Sequence, residues 1–521
     1  MTTKHFSLYH LISIILCCTI LFTTFIVILR FSPVIYSIQG SFKGNDDITS
    51  SYALEWYQTW GGSENEYGNG ITTDNYSNIY LSGITSSFGA GYRDIFLLKY
   101  DPNGIRLWNT TWGSPDWENS GNVVVDKNND VYVTGFMDGV GGYDGFYVKY
   151  NSNGIQYWNR SWIGSSTDGF KGISVDPSNN ILLVGGTWIS TGAVLLVKYD
   201  QAGSQLWNKT WDGVDDDYGN SAATDSYNNV YVAGYTQSFN VNDDFDAFIV
   251  KYNSTGIQQW NRTWSNPKGD FGNEIKVDIY DNLYLAGYTY GSSWDHANAF
   301  LAKYDSAGNQ LWNCTWGLPW NDDFCSGVTV DGNESYITGY TYNSLTGIDT
   351  FLVKFDSRGN QVWNKTWDIN QDEKGVKITI DFNNNIYISG FIEPSSGLKS
   401  DAFILKYGID SDNDELTDNL EINKYYTDPN APDTDNDSLN DGVEVTLFKT
   451  DPNNWDSDGD GYGDGWEIQH GYDPLASFSN PRTLMTIFNI IIVIAIIAIS
   501  IIILRGFKTP KNRQSNKPCR L

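Results

Sequence analysis

Apolar and polar residues alternate in short runs through most of this chain. Residues 219–264 display the pattern: GNSAATD, a polar turn SYNN, the run VYVAGYT, a longer polar loop, then DAFIVKY, a turn NSTG and IQQWNRTW. Alternation at period two, rich in β-branched and aromatic residues and broken by Asn, Asp and Gly, predicts four β-strands. Helical periodicity is missing, and the connections leave no room for a crossover helix. The strands are therefore expected to form antiparallel meanders.

The unit recurs. The hexamer LWNTTW at 107–112 returns as YWNRSW, LWNKTW, QWNRTW, LWNCTW and VWNKTW, with a looser copy, EWYQTW, at 55–60. Its leading tryptophans, Trp56, Trp108, Trp158, Trp207, Trp260, Trp312 and Trp363, are spaced 49 to 53 residues apart. Four-stranded units at this period predict an all-β fold, a seven-bladed β-propeller over residues 53–408. The third strand also appears seven times, from IFLLKY to AFILKY, but after Tyr407 no tryptophan strand follows. The orphan strand ALEWYQTW near the start then supplies the missing outer strand of the last blade and closes the ring.

Trp108 and Trp112 lie four apart on a strand and so share a face, which predicts packing between blades. Between them, Asn-x-Ser/Thr recurs at Asn109, Asn159, Asn208, Asn261, Asn313 and Asn364. These are glycosylation sequons or simply the polar face of an outermost strand. The repeats resemble those of seven-bladed propellers in prokaryotic surface and secreted proteins, whose pattern runs I-x-V-D, N-x-Y-V-x-G, F-x-x-K-Y, G and W. That resemblance implies a fold but no single activity. The hairpin K-Y-D-x-x-G-x-x-x-W, as in Lys99 to Trp108, fits neither the quinoprotein docking motif nor the sialidase Asp box.

Two apolar runs bracket the chain. Leu11–Leu29, within residues 1–30, is read as a cleaved signal peptide or an uncleaved anchor, followed by a linker at 31–52. Residues 484–504 carry no charge and are long enough to span a bilayer. They follow a linker at 476–483 and precede a basic tail at 505–521, expected to be cytoplasmic. All 62 acids but only 25 of the 33 Lys+Arg lie in residues 31–482, in a chain of net charge −29. So acidic a segment repels nucleic acid and suits cations or basic partners. Of five cysteines, Cys17 and Cys18 fall in the first run and Cys519 in the tail. Cys314 and Cys325 could pair in an oxidising exterior, but their expected strands place them far apart.

From residue 410 the composition changes. DSDNDELTDNLE (410–421), DTDNDSLNDGVE (433–444) and DSDGDGYGDGWE (456–467) begin 23 residues apart. Each sets carboxylates at positions 1, 3, 5, 9 and 12: Asp410, Asp412, Asp414, Asp418 and Glu421; Asp433, Asp435, Asp437, Asp441 and Glu444; Asp456, Asp458, Asp460, Asp464 and Glu467. Oxygen donors at this spacing wrap a Ca²⁺ ion, and without His or Cys they disfavour zinc or copper. About three ions are expected. Glycine stands at position 6 only at Gly461; Glu415 and Ser438 replace it elsewhere. With TDP at 427–429 and 450–452, residues 409–475 resemble microbial thrombospondin type 3 repeats. That resemblance implies an irregular chain wound around several Ca²⁺ ions with little apolar core.

No catalytic pattern emerges. The two histidines outside the apolar runs and their flanks, His296 and His470, fall in different domains, and neither a triad nor a phosphate loop is present. The chain is expected not to be an enzyme. It reads as a single-pass cell-surface recognition or adhesion protein whose propeller head meets an extracellular protein or glycan. The alternatives are a structural envelope component or, less favoured, a glycan-active propeller enzyme. Any ligand face is expected on the side of the inter-blade loops, which is acidic in every blade and holds Trp117, Trp188, Trp294 and Trp320.

Overall fold

The computed structural model describes residues 51–506, apart from 140, 165–166, 189–190, 239–243, 292–295, 344–346 and 395–398. The signal or anchor segment, residues 507–521 of the basic tail, Cys17, Cys18, Cys519, Trp294 and the side chain of Trp188 lie outside the description.

Seven antiparallel four-stranded sheets make up the larger unit, Leu54–Ile409. Blades 1 to 6 occupy residues 66–112, 118–162, 167–211, 217–264, 270–316 and 322–367. In the seventh, strands Asp372–Ile380, Ile386–Glu393 and Asp401–Asp410 are completed by the N-terminal strand Ser51–Trp60, which lies beside Asp401–Asp410. The ring is thus a seven-bladed β-propeller closed by its own N-terminus, with no unpaired edge at the junction.

Burial follows the sequence pattern. In blade 1 the second and third strands, Ile79–Thr85 and Asp94–Tyr100, are buried along their whole length, whereas the outer strand Arg106–Trp112 is half-exposed. The glycine of N-x-Y-V-x-G has a steric cause. The first strand bulges beside it, and a Cβ on Gly83 or Gly234 would stand 2.0 or 1.8 Å from the carbonyl oxygen of Tyr67 or Tyr218. Only a hydrogen fits there.

The tryptophans hold adjacent blades together. The second of each pair lies on a phenylalanine of the next blade's third strand: Trp112 on Phe146 at 4.5 Å, Trp211 on Phe248 at 4.4 Å, Trp264 on Phe300 at 4.0 Å between centroids. Blade 3 has Leu195 at the phenylalanine position, so Trp162 meets an aliphatic neighbour instead. The first tryptophan donates its indole N–H to the next blade's third turn, Trp108 to Ser152 O at 3.2 Å and Trp312 to Ser357 O at 3.0 Å. That turn bends through a glycine of positive φ, Gly154 or Gly359, whose missing side chain leaves room for the indole.

In blades 1, 2, 3 and 5 the third-strand lysine reaches back to the turn between the first two strands, whereas Lys251 donates to Ser306 O at 2.8 Å and Lys406 pairs with Glu55 of the N-terminal strand at 2.9 Å. Lys198 Nζ stands 2.7 Å from Asp176, Lys99 3.3 Å from Asp74, Lys303 3.4 Å from Asp278, and all these side chains are almost wholly buried. In blade 1 the same aspartate accepts from the backbone N–H groups of Tyr76 and Asn78, from the Asn78 amide and from the Tyr80 hydroxyl. One carboxylate thereby closes the turn, satisfies the tyrosine and neutralises the lysine. Blade 6 substitutes Glu334 for this partner, 2.7 Å from Lys354. Cys314 and Cys325 are both free thiols.

The second unit includes Asp410 onward. It contains two short helical turns, Asp418–Leu420 and Asp441–Val443, each running into a wider i→i+5 turn, and two longer helices, α1 (Asp464–His470) and α2 (Pro481–Gly506). Leu416 is the single buried hydrophobic residue after Tyr407 among the described residues. Pro481–Ile501 is long and apolar enough to cross a membrane.

Candidate functional site

The three acidic loops fold alike. Positions 4 and 6 take left-handed backbone in each: Asn413 and Glu415, Asn436 and Ser438, Gly459 and Gly461. The first carboxylate accepts backbone N–H groups across the turn, as Asp433 does from Asp437 and Ser438 and Asp456 from Gly459 and Gly461. The loop is thereby curled so that positions 1, 3 and 5 converge. Carboxylate oxygens of Asp410, Asp412 and Asp414 lie within 4.8 Å of one another, as do those of Asp433, Asp435 and Asp437, and of Asp456, Asp458 and Asp460.

Position 9 behaves differently. Asp418 accepts from both the N–H and the hydroxyl of Ser411, each at 2.8 Å, and Asp441 accepts likewise from Thr434 at 2.9 and 2.6 Å. Asp464 takes the N–H of Ser457 at 3.0 Å. Asp418 and Asp441 thus brace position 2 of their own loop with both oxygens, which limits what they offer an ion, whereas Asp464 keeps a buried oxygen without a partner. Position 12 is buried: Glu421, Glu444 and Glu467 are 0 % exposed. Thr427 and Thr450 each donate to one oxygen of Glu421 and Glu444, leaving the other oxygen without a partner, and both oxygens of Glu467 have none.

Successive loops are linked. Asp414 accepts the N–H of Gly442 at 2.8 Å, and Asp437 that of Gly465 at 2.8 Å, so the fifth position of one loop holds the helical turn of the next. There Asp437, Glu444 and Asp464 bring oxygens within 4.8 Å, a grouping that spans two loops and that spacing within a single loop does not reveal. Burial pushes the Glu444 carboxyl up to about 8, with Asp435, Asp437 and Asp441 adding to it, and burial with Asp412 and Asp414 does the same to Glu421. Partnerless buried oxygens in all-carboxylate groups about as wide as a Ca²⁺ coordination shell fit a hard cation. Asp410, Asp412, Asp414 and their counterparts in the other loops, with the position-12 glutamates, are the residues that would hold it.

The acidic side of the propeller is less open than its sequence suggests. Glu66, Glu118, Asp217, Asp270, Asp323 and Glu373 are 0 % exposed and Asp168 is 1 % exposed. Each stands first or second on a first strand, and most turn inward to accept a backbone N–H from the preceding loop: Gly62 donates to Glu66 at 2.8 Å, Ser114 to Glu118 at 3.0 Å, Leu318 to Asp323 at 2.9 Å. They tie loops down.

The next residue on these strands and the second strands beside them form a ring of aromatics: Tyr218 pairs with Tyr235, Phe271 with Tyr288 and Phe324 with Tyr340, while Tyr67 meets Phe391 of blade 7. At blade 3 both positions are glycine, Gly169 paired with Gly186. A largely apolar hollow of 310 Å³ opens in the gap, between Phe136, Tyr143 and the two glycines, with Asp168 and Lys171 at its edge. Lys171 is reached by solvent yet enclosed by the ring wall, and that enclosure lowers its pKa. Trp117 stands beside the hollow, 5.8 Å from Phe136 and 5.6 Å from Tyr143, with Arg93 over its ring at 5.1 Å. Trp320 lies elsewhere on this side, 86 % exposed and edge-on to His296. The paired glycines carry the sequence signal for the hollow, visible once the repeats are aligned.

This is a propeller joined to calcium-type acidic repeats. Residues 433–454 and 456–477 match the model of the bacterial TSP3 repeat, which covers the second and third loops. Curated proteins offer no sequence match. Among solved structures, a gluconolactonase from Xanthomonas campestris aligns with 69 % of this chain and 93 % of its own at 12 % identity, TM-score 0.35. The polysaccharide lyase Uly1 aligns with 68 % and 99 % at 10 % identity, TM-score 0.42. The propeller domain of the Trilobed protease from Pyrococcus furiosus aligns with 66 % and 95 % at 8 % identity, TM-score 0.40.

Proposed function

We propose that the chain is a membrane-anchored, extracellular recognition or adhesion protein, non-catalytic, whose propeller takes a ligand at blade 3. The hollow where Gly169 and Gly186 interrupt the aromatic ring carries this reading, because a largely apolar, aromatic-edged recess with one acid and one lysine suits a sugar ring or an aromatic side chain. Helix α2 supplies the anchor, and the acidic repeats, ordered by Ca²⁺, the spacer before it.

The test is to probe glycan and peptide arrays with the detergent-solubilised full chain in Ca²⁺. Gly186→Tyr restores the aromatic that five of the other six blades carry at this position, so it fills the hollow on a backbone known to accept it. A ligand whose binding falls at least tenfold in this variant, yet persists in Trp320→Ala, supports the reading. Binding that ignores Gly186→Tyr places recognition elsewhere, and no binding at all favours a structural envelope role.

A further inference from the structure

The acids of the inter-blade junctions repeat with one exception. Each junction brings together the carboxylate near the start of a first strand, the residue near the start of the previous blade's third strand, and the residue just after that blade's second tryptophan. These are Asp94, Gly113 and Glu118 after blade 1; Asp401, Gly61 and Glu66 after blade 7. The third position is small at four junctions and Ile163 at another, and the one other acid there, Asp212, meets Ala193 where a third-strand acid would stand. After blade 6 all three are acidic: Asp349, Asp368 and Glu373.

The glycine junctions reveal where the extra side chain points. A Cβ on Gly113 would fall 2.0 Å from Asp94 Oδ1 and 2.7 Å from Glu118 Oε2, and one on Gly61 would fall 1.7 Å from Asp401 Oδ1. Position 368 therefore projects between the other two carboxylates. Oxygens of Asp349, Asp368 and Glu373 all lie within 4.8 Å of one another. Glu373 is 0 % exposed; its Oε1 accepts the Gln371 N–H at 3.1 Å, and its Oε2 has no partner. Asp349 Oδ1 is likewise buried without one. The neighbouring Asp372 is committed to the N–H of Ile348 at 3.0 Å, which fixes the third strand of blade 6 against blade 7. No cation pairs with any of the three among the described residues.

We infer that Asp349, Asp368 and Glu373 form a cation site between blades 6 and 7, separate from the acidic repeats, that takes a hard divalent ion, Ca²⁺ in an extracellular setting. Three carboxylates converging on a buried, partnerless oxygen repel one another unless a positive charge sits among them. Ca²⁺–oxygen distances of about 2.3–2.6 Å let one ion reach oxygens that all lie within 4.8 Å of one another. The ion would clamp one junction of the ring.

Equilibrium dialysis of the full chain with ⁴⁵Ca²⁺ counts the ions. Asp368→Gly, the residue of three sibling junctions, is expected to bind one ion fewer per chain while keeping its β-rich circular dichroism. Asp349→Asn is expected to do the same. An unchanged count in a folded variant overturns the site. Terbium-soaked crystals of the unaltered protein decide the matter without any variant: an anomalous peak between the three carboxylates supports it, and a blank there with the acidic loops filled overturns it.

Discussion

The propeller and the acidic repeats use the same side chain for opposite ends. In both, an aspartate bends the chain by accepting backbone N–H groups two and four or five residues on, as Asp74 does from Tyr76 and Asn78, and Asp433 from Asp437 and Ser438. The propeller then satisfies the second oxygen within the protein, from a tyrosine hydroxyl, an asparagine amide and a buried lysine. The repeats leave oxygens of Asp412, Asp435 and Asp458 without protein donors. Apart from the junction of blades 6 and 7, one region therefore carries the counter-charge for its turn aspartates and an apolar core; the other has a single buried hydrophobic residue among the described residues and must import its counter-charge. Order in the first is a property of the chain, and in the second a property of chain plus ion.

Four experiments would break or sharpen that contrast. The largest effect is expected from chelation. Removing Ca²⁺ should abolish hydrogen-exchange protection across residues 410–475 while protection in blades 1 to 5 survives, with half-saturation at about 10⁻⁴–10⁻³ M. Replacing Asp433, Asp435 and Asp437 together by Asn should remove the middle site alone. Equal loss of protection in both regions would end the distinction.

Next comes the internal counter-charge. Lys198→Met leaves Asp176 buried with no cation, and denaturant unfolding should register a loss of about 3–5 kcal/mol. A loss under 1 kcal/mol would mean that these lysines fill space rather than balance charge.

Acid dependence is a smaller, signed effect. Burial raises the Asp270 carboxyl to about 6 from 3.8, and the charge of Asp246 adds to the shift. The folded state then holds a proton between about pH 4 and 6 that the unfolded chain has released, so this group's contribution to stability falls as pH rises through that window and is flat above it. Asp270→Asn should flatten the pH dependence of the melting temperature between 4 and 6. The same slope in both proteins would show that Asp270 is ionised throughout.

The smallest concerns backbone strain. Ser438 sits at φ 82 where the third loop has Gly461 at φ 91. Ser438→Gly should stabilise the Ca²⁺-loaded repeats by about 1 kcal/mol. Measured as the midpoint of Ca²⁺ titration, no shift would mean that bound ions already offset the strain.

Much of this was legible because it is local and periodic. Alternation at period two reports which strand faces are buried, and a count of seven third strands against a displaced outer strand dictates closure by Ser51–Trp60. The spacing of carboxylates in the three loops likewise reflects a ring that closes within twelve residues, where chain geometry leaves few choices.

What remained hidden depends on residues far apart in sequence. The buried Lys99, Lys198 and Lys303 read as strand-end charges until the turn some twenty residues earlier is brought beneath them. Glu66, Glu118 and their counterparts read as surface acids, but the preceding loop folds over them and offers an N–H that only a buried carboxylate can meet. Asp437, Glu444 and Asp464 converge only because one loop docks on the next, and Asp349, Asp368 and Glu373 only because two blades meet. Sequence by itself determined the number of blades, the closure and the loops that curl around charge, since each follows from repeat period and side-chain alternation. The tertiary structure alone decided which carboxylates end up satisfied and which stay bare, since that depends on whether packing brings a donor within about 3 Å of each oxygen.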